Sequence, residues 1–415
     1  FNPNQIKTPC FVVDESLLEK NLDTLASVKE HTGCKILLAL KCFSMFRVFP
    51  LIRQYLDGVC ASSPHEARLG REEFQKEVHT FAAAYSAGDI LDLCETTDHL
   101  VFNSFGQLER FKHLVKRRAE ELGRRIELGI RINPEHSEGA VPIYDPCAPG
   151  SRLGVKYHNF VKAINNNKDI LGKISGMHWH NLCEQDADCL ERTVKAVESK
   201  FGEFIPKMQY INFGGGHHIT RPGYNIKLLE KIINDFQQRW GVQVYLEPGE
   251  AVALNAGFFV ATILDIITDE IITNQPNIDI TIIDGCVPAH MPDVIEMPYR
   301  PNILNSKNPN DLTTNLNKTT ANATKSSTQT TKQYPLYRIG GLSCLAGDVA
   351  GEYAFDEPLE IGDKLVFTDM AIYSMVKTNT FNGVQLPSIA LVRKDDKTVE
   401  MVRAFGYLDF KNRLS

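Results

Sequence analysis

Between residue 34 and about residue 250 the chain repeats one theme eight times. A short apolar run is followed by a polar stretch whose apolar positions recur at helical spacing. The runs are KILLAL (35–40), GVCA (58–61), VHTFA (78–82), HLVF (99–102), IELGIRI (126–132), ISGMHWH (174–180), MQYINF (208–213) and VQVYLE (242–247). Between them lie segments such as PHEARLGREEF and DCLERTVKAVESKFGEFI. Parallel strands covered by helices on both faces read as such continuous apolar runs. Eight of them alternating with helices predict an α/β fold, a (β/α)8 TIM-type barrel over 34–252. A doubly wound open sheet would alternate in the same way with fewer strands.

After residue 253 the grain changes. GFFVATILDII, DITIIDG, LYRIGG, DKLVFTDM and PSIALVRK are strand-like and are separated by Gly, Pro and Asp. They predict a second, mainly β domain over 253–415. TPCFVVDE (8–15) is also strand-like, so residues 1–33 are expected to supply a lead-in helix and a strand that joins the β domain. Residues 305–333 are Asn, Thr, Ser and Lys with little to bury, and predict a disordered low-complexity insertion.

Several function classes drop out early. The net charge is −6, and no basic run is interleaved with aromatics, so no nucleic-acid partner is expected. No run of about 18 apolar residues is present, so no membrane span is expected. Ten cysteines without a CxxC pair read as reduced thiols. With no apolar secretory core near residue 1, the expectation is a cytoplasmic protein.

Barrel active sites lie at the C-terminal ends of the strands. There the chain places Lys41, Ser62 and Ser63, Asn103 and Ser104, Arg131 and Asn133, His178 and His180, GGGHH (214–218) and EPGE (247–250). Each has a bland reading: Lys41 as a solvated strand end, His180 as a structural imidazole, the glycines as a tight turn, Glu247 as a surface charge. Convergence on one mouth weakens all of these together. A lysine there can form a Schiff base with an aldehyde, and a glycine turn can cradle a phosphate. A carboxylate can hold a ring nitrogen protonated, and a flat imidazole can stack on the ring. That inventory points to pyridoxal 5'-phosphate.

At these residues the chain resembles the fold-III pyridoxal-phosphate decarboxylases, and within them the carboxynorspermidine decarboxylase family. The motifs are TPCFVVDE, KILLALK, ASSPHEARLGREEF, GMHWHNLCE, FGGGHH, LEPGEA, HMPDVIEMPYRP, GLSCLAGD and FNGVQLPSIA, and the resemblance spans nearly the whole chain outside 305–333. It implies that Lys41 carries the cofactor, His180 stacks on it, Arg131 lies beneath it, Gly215 and Gly216 hold its phosphate with Tyr373, and Glu247 pairs with its ring nitrogen. It implies that Cys344 returns a proton after carbon dioxide leaves. Cys344 and Asp348 would then come from the second subunit of a homodimer with shared active sites. The implied substrate is a small carboxylated polyamine, carboxynorspermidine or carboxyspermidine. Glu250, Asp284, Glu296 and Asp348 are the candidate contacts for its cationic chain, although Glu296 also reads as a solvated surface charge.

Two departures stand out. The ornithine and diaminopimelate enzymes carry arginine after EPG, where this chain has Glu250. That suits a polycation better than a dicarboxylate and argues against the diaminopimelate, ornithine and arginine alternatives. The second is Pro288 within DGCVPAH. A metal-dependent barrel hydrolase built on His178, His180, His217 and His218 would leave Lys41 and the glycine turn unexplained. A non-catalytic cofactor-binding regulator would not need both Lys41 and Cys344. No metal is expected.

Overall fold

In the computed structural model, which describes residues 1–139, 145–268, 278–311 and 334–415, the eight runs become β2 (Lys35–Ala39), β3 (Gly58–Ala61), β4 (Glu77–Phe81), β5 (His99–Phe102), β6 (Glu127–Arg131), β7 (Gly176–His178), β8 (Tyr210–Asn212) and β9 (Gln243–Leu246). Each pairs in parallel with the next, and β2 pairs with β9, so the barrel closes. The helices between strands form for local reasons. Ser104 accepts from the Gln107 N–H and starts the helix Phe105–Glu121. That helix buries Phe105, Leu108, Phe111, Val115 and Ala119, spaced three and four apart. The helix Ile226–Trp240 buries Leu229, Ile232, Ile233 and Phe236 and stops at Gly241, whose φ is +68°.

The barrel interior departs from aliphatic filling. The rings of His79 and His99 stack at 3.9 Å, with Tyr210 and Tyr245 packed against them from β8 and β9. Below them Glu77 accepts from Lys35 at 2.8 Å and from the Tyr245 hydroxyl at 3.2 Å. The Tyr210 ring lies across β7 so closely that a Cβ on Gly176 would sit 2.3 Å from it.

The described residues form two compact units, Leu18–Leu254, and Phe1–Leu17 with Asn255–Ser415. The first break falls inside the helix Glu15–Thr32, so most of that lead-in helix belongs with the barrel. In the second unit β1 (Cys10–Asp14) lies between β10 (Gly257–Ile267), antiparallel to it, and β16 (Ser388–Val392), parallel to it. The sheet also contains β11 (Ile278–Ile283), β12 (Ser306–Lys307), β13 (Leu336–Gly340), β14 (Val349–Phe355), β15 (Lys364–Thr368) and β17 (Val399–Arg403). Its order is β12-β14-β13-β11-β10-β1-β16-β17, with β15 also on β10. Phe11 packs into one apolar cluster with Phe259 and Phe367, while Cys10 and Val12 pack into another with Val260 and Val392.

The first residues of the insertion expected over 305–333 take a place in the sheet. Ser306 and Lys307 pair with Phe355 and Ala354 of β14, and the Lys307 ammonium meets Asp356 at 2.5 Å and the Tyr334 ring at 4.3 Å. Backbone pairing and one long cation give polar residues an ordered place there. Residues 312–333 lie outside the described residues. No helix among the described residues is long and apolar enough to cross a membrane.

Candidate active site

Glu247 follows β9 and sits among neighbours from adjoining strands. Its Oε1 accepts from Asn212 Nδ2 at 2.7 Å, and its Oε2 lies 3.2 Å from His178 Nε2. Burial alone would raise its pKa, but His178 and Asn212 outweigh burial and hold the carboxyl well below the usual range. Asn212 Oδ1 accepts from the Gly214 N–H at 2.8 Å, and the Glu247 N–H donates to Gly214 O at 2.7 Å. The carboxylate and the glycine turn are therefore one hydrogen-bonded unit.

The turn itself needs glycine. Gly214 and Gly216 have φ of +71° and +81°, and a Cβ on Gly216 would come within 2.0 Å of Leu182 O. His180 lies against the turn, and its Nδ1 accepts from the Gly215 N–H at 2.8 Å. Burial, then the charges of Lys41 and Arg131, push its pKa well below 6.5, so the ring is neutral with its proton on Nε2. The Gly215 N–H thus donates to His180 in this structure, beside Gly216, whose backbone is partly exposed. Arg131, 5% exposed, donates to His180 O at 2.8 Å and lies 4.5 Å over the Phe81 ring. Burial lowers its pKa to about 10, still charged at neutral pH.

Leu37, Leu38 and Leu40 are buried, but the apolar run stops there and Lys41 stands exposed on the turn after β2. No desolvation cost has to be met at this position. An exposed amine at the barrel mouth is open to an aldehyde. With an ionised carboxylate, a neutral imidazole, a buried cation and a glycine turn, the barrel residues fit pyridoxal phosphate.

Other polar strand ends have structural roles. Ser63 caps the helix Pro64–Leu69, and Asn103 bonds Gly154 N and Arg152 O. His178 and His180 do not face a common centre, since one ring meets Glu247 and the other the Gly215 N–H. The groups close enough to share a metal among the described residues are Glu77, His79 and His99, and Glu184, His218 and Glu250. Neither contains the His178–His180 pair. Glu250 lies 2.7 Å from His218 Nε2, a partner that sequence reasoning left unassigned for this role.

In the second unit the acidic candidates are mostly engaged. Asp348, 4% exposed, accepts from Val287 N at 2.7 Å and Ser343 N at 2.8 Å. Asp284 accepts from Thr262 N at 2.8 Å and the Thr8 hydroxyl at 2.5 Å. Both carboxylates also hold their own loops through these bonds. Glu296 shares Lys377 with Asp293. Cys344 is exposed, its Sγ 3.6 Å from Asn382 Oδ1. Tyr373 is half-buried at φ +54°, its ring 5.4 Å from Lys377 Nζ. Pro288 occupies the first turn of the helix Val287–His290, where a missing N–H is tolerated.

No protein-family model matches the chain. Individual relatives do. It is 40% identical to the carboxynorspermidine/carboxyspermidine decarboxylase of Campylobacter jejuni, over 99% of both chains. It is 39% identical to the carboxyaminopropylagmatine decarboxylase of Synechocystis sp., over 99% of this chain and 96% of that one. The crystal structure of carboxynorspermidine decarboxylase complexed with norspermidine from Campylobacter jejuni superposes with a TM-score of 0.82 at 38% identity, covering 98% of this chain and all of the other. That structural match agrees with the barrel and β domain described above. The chain belongs to the carboxynorspermidine/carboxyspermidine decarboxylase family.

Proposed function

We propose that this enzyme decarboxylates carboxynorspermidine and carboxyspermidine with pyridoxal 5'-phosphate, yielding norspermidine and spermidine. The observation that carries the reading is Glu247, an ionised carboxylate held on both oxygens beside a neutral His180 and a glycine turn. Pyridoxal phosphate supplies an aldehyde for amine exchange and a protonated ring that draws electrons from the breaking carbon–carboxylate bond. Lys41 Nζ would hold that aldehyde between turnovers. Glu247 would keep the ring nitrogen protonated, His180 would stack on the ring, Arg131 would support it, and Gly215 and Gly216 would hold the phosphate, with Tyr373 as a further expected contact. Cys344 Sγ hands a proton to the substrate carbon after carbon dioxide leaves. Its exposure supports the reading that a second subunit supplies it, in a homodimer. Glu250, whose carboxylate meets His218, is the acidic contact assigned to the substrate's cationic chain, with Asp284, Glu296 and Asp348 as further candidates. Ten free cysteines support a reducing, cytoplasmic setting.

The test is carbon dioxide release from carboxynorspermidine, carboxyspermidine, diaminopimelate, ornithine and arginine side by side. Preference for any of the last three overturns the assignment. Carboxyaminopropylagmatine joins the panel because a relative named for it is nearly as similar, and its preferred turnover would move the assignment to that substrate. Borohydride reduction with pyridoxal phosphate should label Lys41 in peptide maps, and a labelled peptide elsewhere would remove Lys41 from its role.

A further inference from the structure

His178 is nearly out of solvent, its side chain 3% exposed on β7. Its Nε2 meets Glu247 Oε2, and its Nδ1 is buried with no hydrogen-bond partner among the described residues. Those two facts decide where its proton lies. A proton on Nδ1 alone would leave a buried donor unanswered and set the Nε2 lone pair against a carboxylate. Protons on both nitrogens would leave the same donor unanswered and add a buried charge. A proton on Nε2 alone gives Glu247 a donor and leaves only a bare acceptor without a partner, the cheaper deficit. Asn212 mirrors this from the other side: its Oδ1 takes the Gly214 N–H, so its Nδ2 must face Glu247.

We infer that His178 is a positioning residue for Glu247, a neutral imidazole fixed as the Nε2–H tautomer by its orphaned Nδ1. The inference rests on the proposed function. Glu247 is then held by neutral donors, His178, Asn212 and the Cys60 thiol, none of which can accept a proton from it. A proton shared between Glu247 and a ligand's ring nitrogen has no third place to go, and it stays on the more basic ring. The groups facing His178 agree. Arg131 on β6 and Lys41 after β2 oppose a second positive charge, the Phe81 ring lies 5.6 Å away on β4, and neutral His180 follows on the same segment. Glu247 alone favours charging, and burial outweighs it.

The test uses the full chain with 15N-labelled histidine, before and after adding pyridoxal phosphate, with H178Q identifying the signal. The expected spectrum shows a proton on Nε2 only, unchanged from pH 6 to 9. A proton on Nδ1, or on both nitrogens at pH 7, overturns the inference. The second readout compares H178Q, which keeps an N–H donor, with H178L, which has none. H178L should lose kcat about 10- to 100-fold, the scale of one hydrogen bond to a charged group, with KM little changed. Its visible cofactor band should begin to titrate between pH 6 and 9, while that of H178Q stays flat. Equal kcat in the two variants refutes the positioning role. If H178L fails to fold, the spectrum of the unaltered chain still decides. If the unaltered chain releases no carbon dioxide from any substrate, the proposed function fails while the tautomer assignment is still decided by its spectrum.

Discussion

Replacing Gly215 with alanine separates packing from backbone conformation at the glycine turn. Its φ does not require glycine, but an added Cβ would lie 2.2 Å from Glu247 O, where ordinary contact begins near 3.4 Å. The turn must therefore open by about 1.2 Å, taking Gly214 away from the Glu247 N–H it now accepts at 2.7 Å. Overpacking costs about 1–3 kcal/mol and the lost hydrogen bond about 1 kcal/mol, so about 2–4 kcal/mol in all. In a unit spanning Leu18–Leu254 that lowers the melting temperature by about 10 °C. Displacing Glu247 by about 1 Å should also cost about 100-fold in kcat. Gly241→Ala is the control. Its φ is +68° with nothing within 4 Å of a Cβ, so only the left-handed conformation is penalised, by about 1 kcal/mol. Thermal melting and retention of the visible cofactor band on dilution measure both variants. If G215A melts no lower than G241A and holds its cofactor equally, the coupling of turn and carboxylate is refuted.

Three further outcomes follow from the site and the core. Lys41→Ala should fold with an unchanged melting temperature, since Lys41 is exposed, yet lose its visible band and turnover; a coloured, active variant contradicts its role. Glu250→Gln should raise KM for carboxynorspermidine about 10-fold or more while leaving kcat near its starting value, and equal KM removes Glu250 from substrate binding. Burial holds His99 at about 2 and His217 at about 4, against 6.5 unfolded. The unfolded chain thus binds protons that the barrel refuses at these two histidines, and also at His178 and His180, and the stability they contribute is fully present above about pH 7. His99 and His217 alone should make stability fall below 6.5 by about 2.7 kcal/mol per pH unit down to about pH 4. Urea midpoints across that range check the slope, and a flat profile contradicts the burial assignment.

The barrel was legible because strands buried on both faces leave uninterrupted apolar runs, and all eight runs became strands. VAGEYAF and VEMVR were missed. The first contains Gly351 at φ +145° and carries a register shift against β13, while the second is a terminal strand exposed on much of its length. Neither gives a clean alternation to read. The site's residue types were legible from their places at strand ends, but their partners were not. The spacing of His178 and His180 indicates one strand face. Only the pairing of β7, β8 and β9 brings His178 and Asn212 onto the same carboxylate. Asn212, inside an otherwise apolar run, gave no signal of its own. Whether Lys41 ends the strand or opens the turn was not legible, because the sequence does not mark where one gives way to the other. The loop bonds of Asp284 and Asp348 were not legible, because backbone N–H partners are invisible in a sequence.

The position of β1 sets an order of events during synthesis. It is an interior strand of its sheet, yet both of its neighbours are encoded far downstream, at Gly257–Ile267 and Ser388–Val392. The barrel sequence leaves the ribosome between them. At roughly 5–20 residues per second, β1 waits about 12–50 s for its first neighbour, with Phe11, Val12 and Val13 uncovered. The barrel can close in that interval, while the second unit cannot assemble until β16 has been made. A ribosome-held nascent chain ending just short of β16 should therefore present a folded barrel tethered to an open, adhesive strand, a state in which chaperone contact would concentrate on Cys10–Asp14.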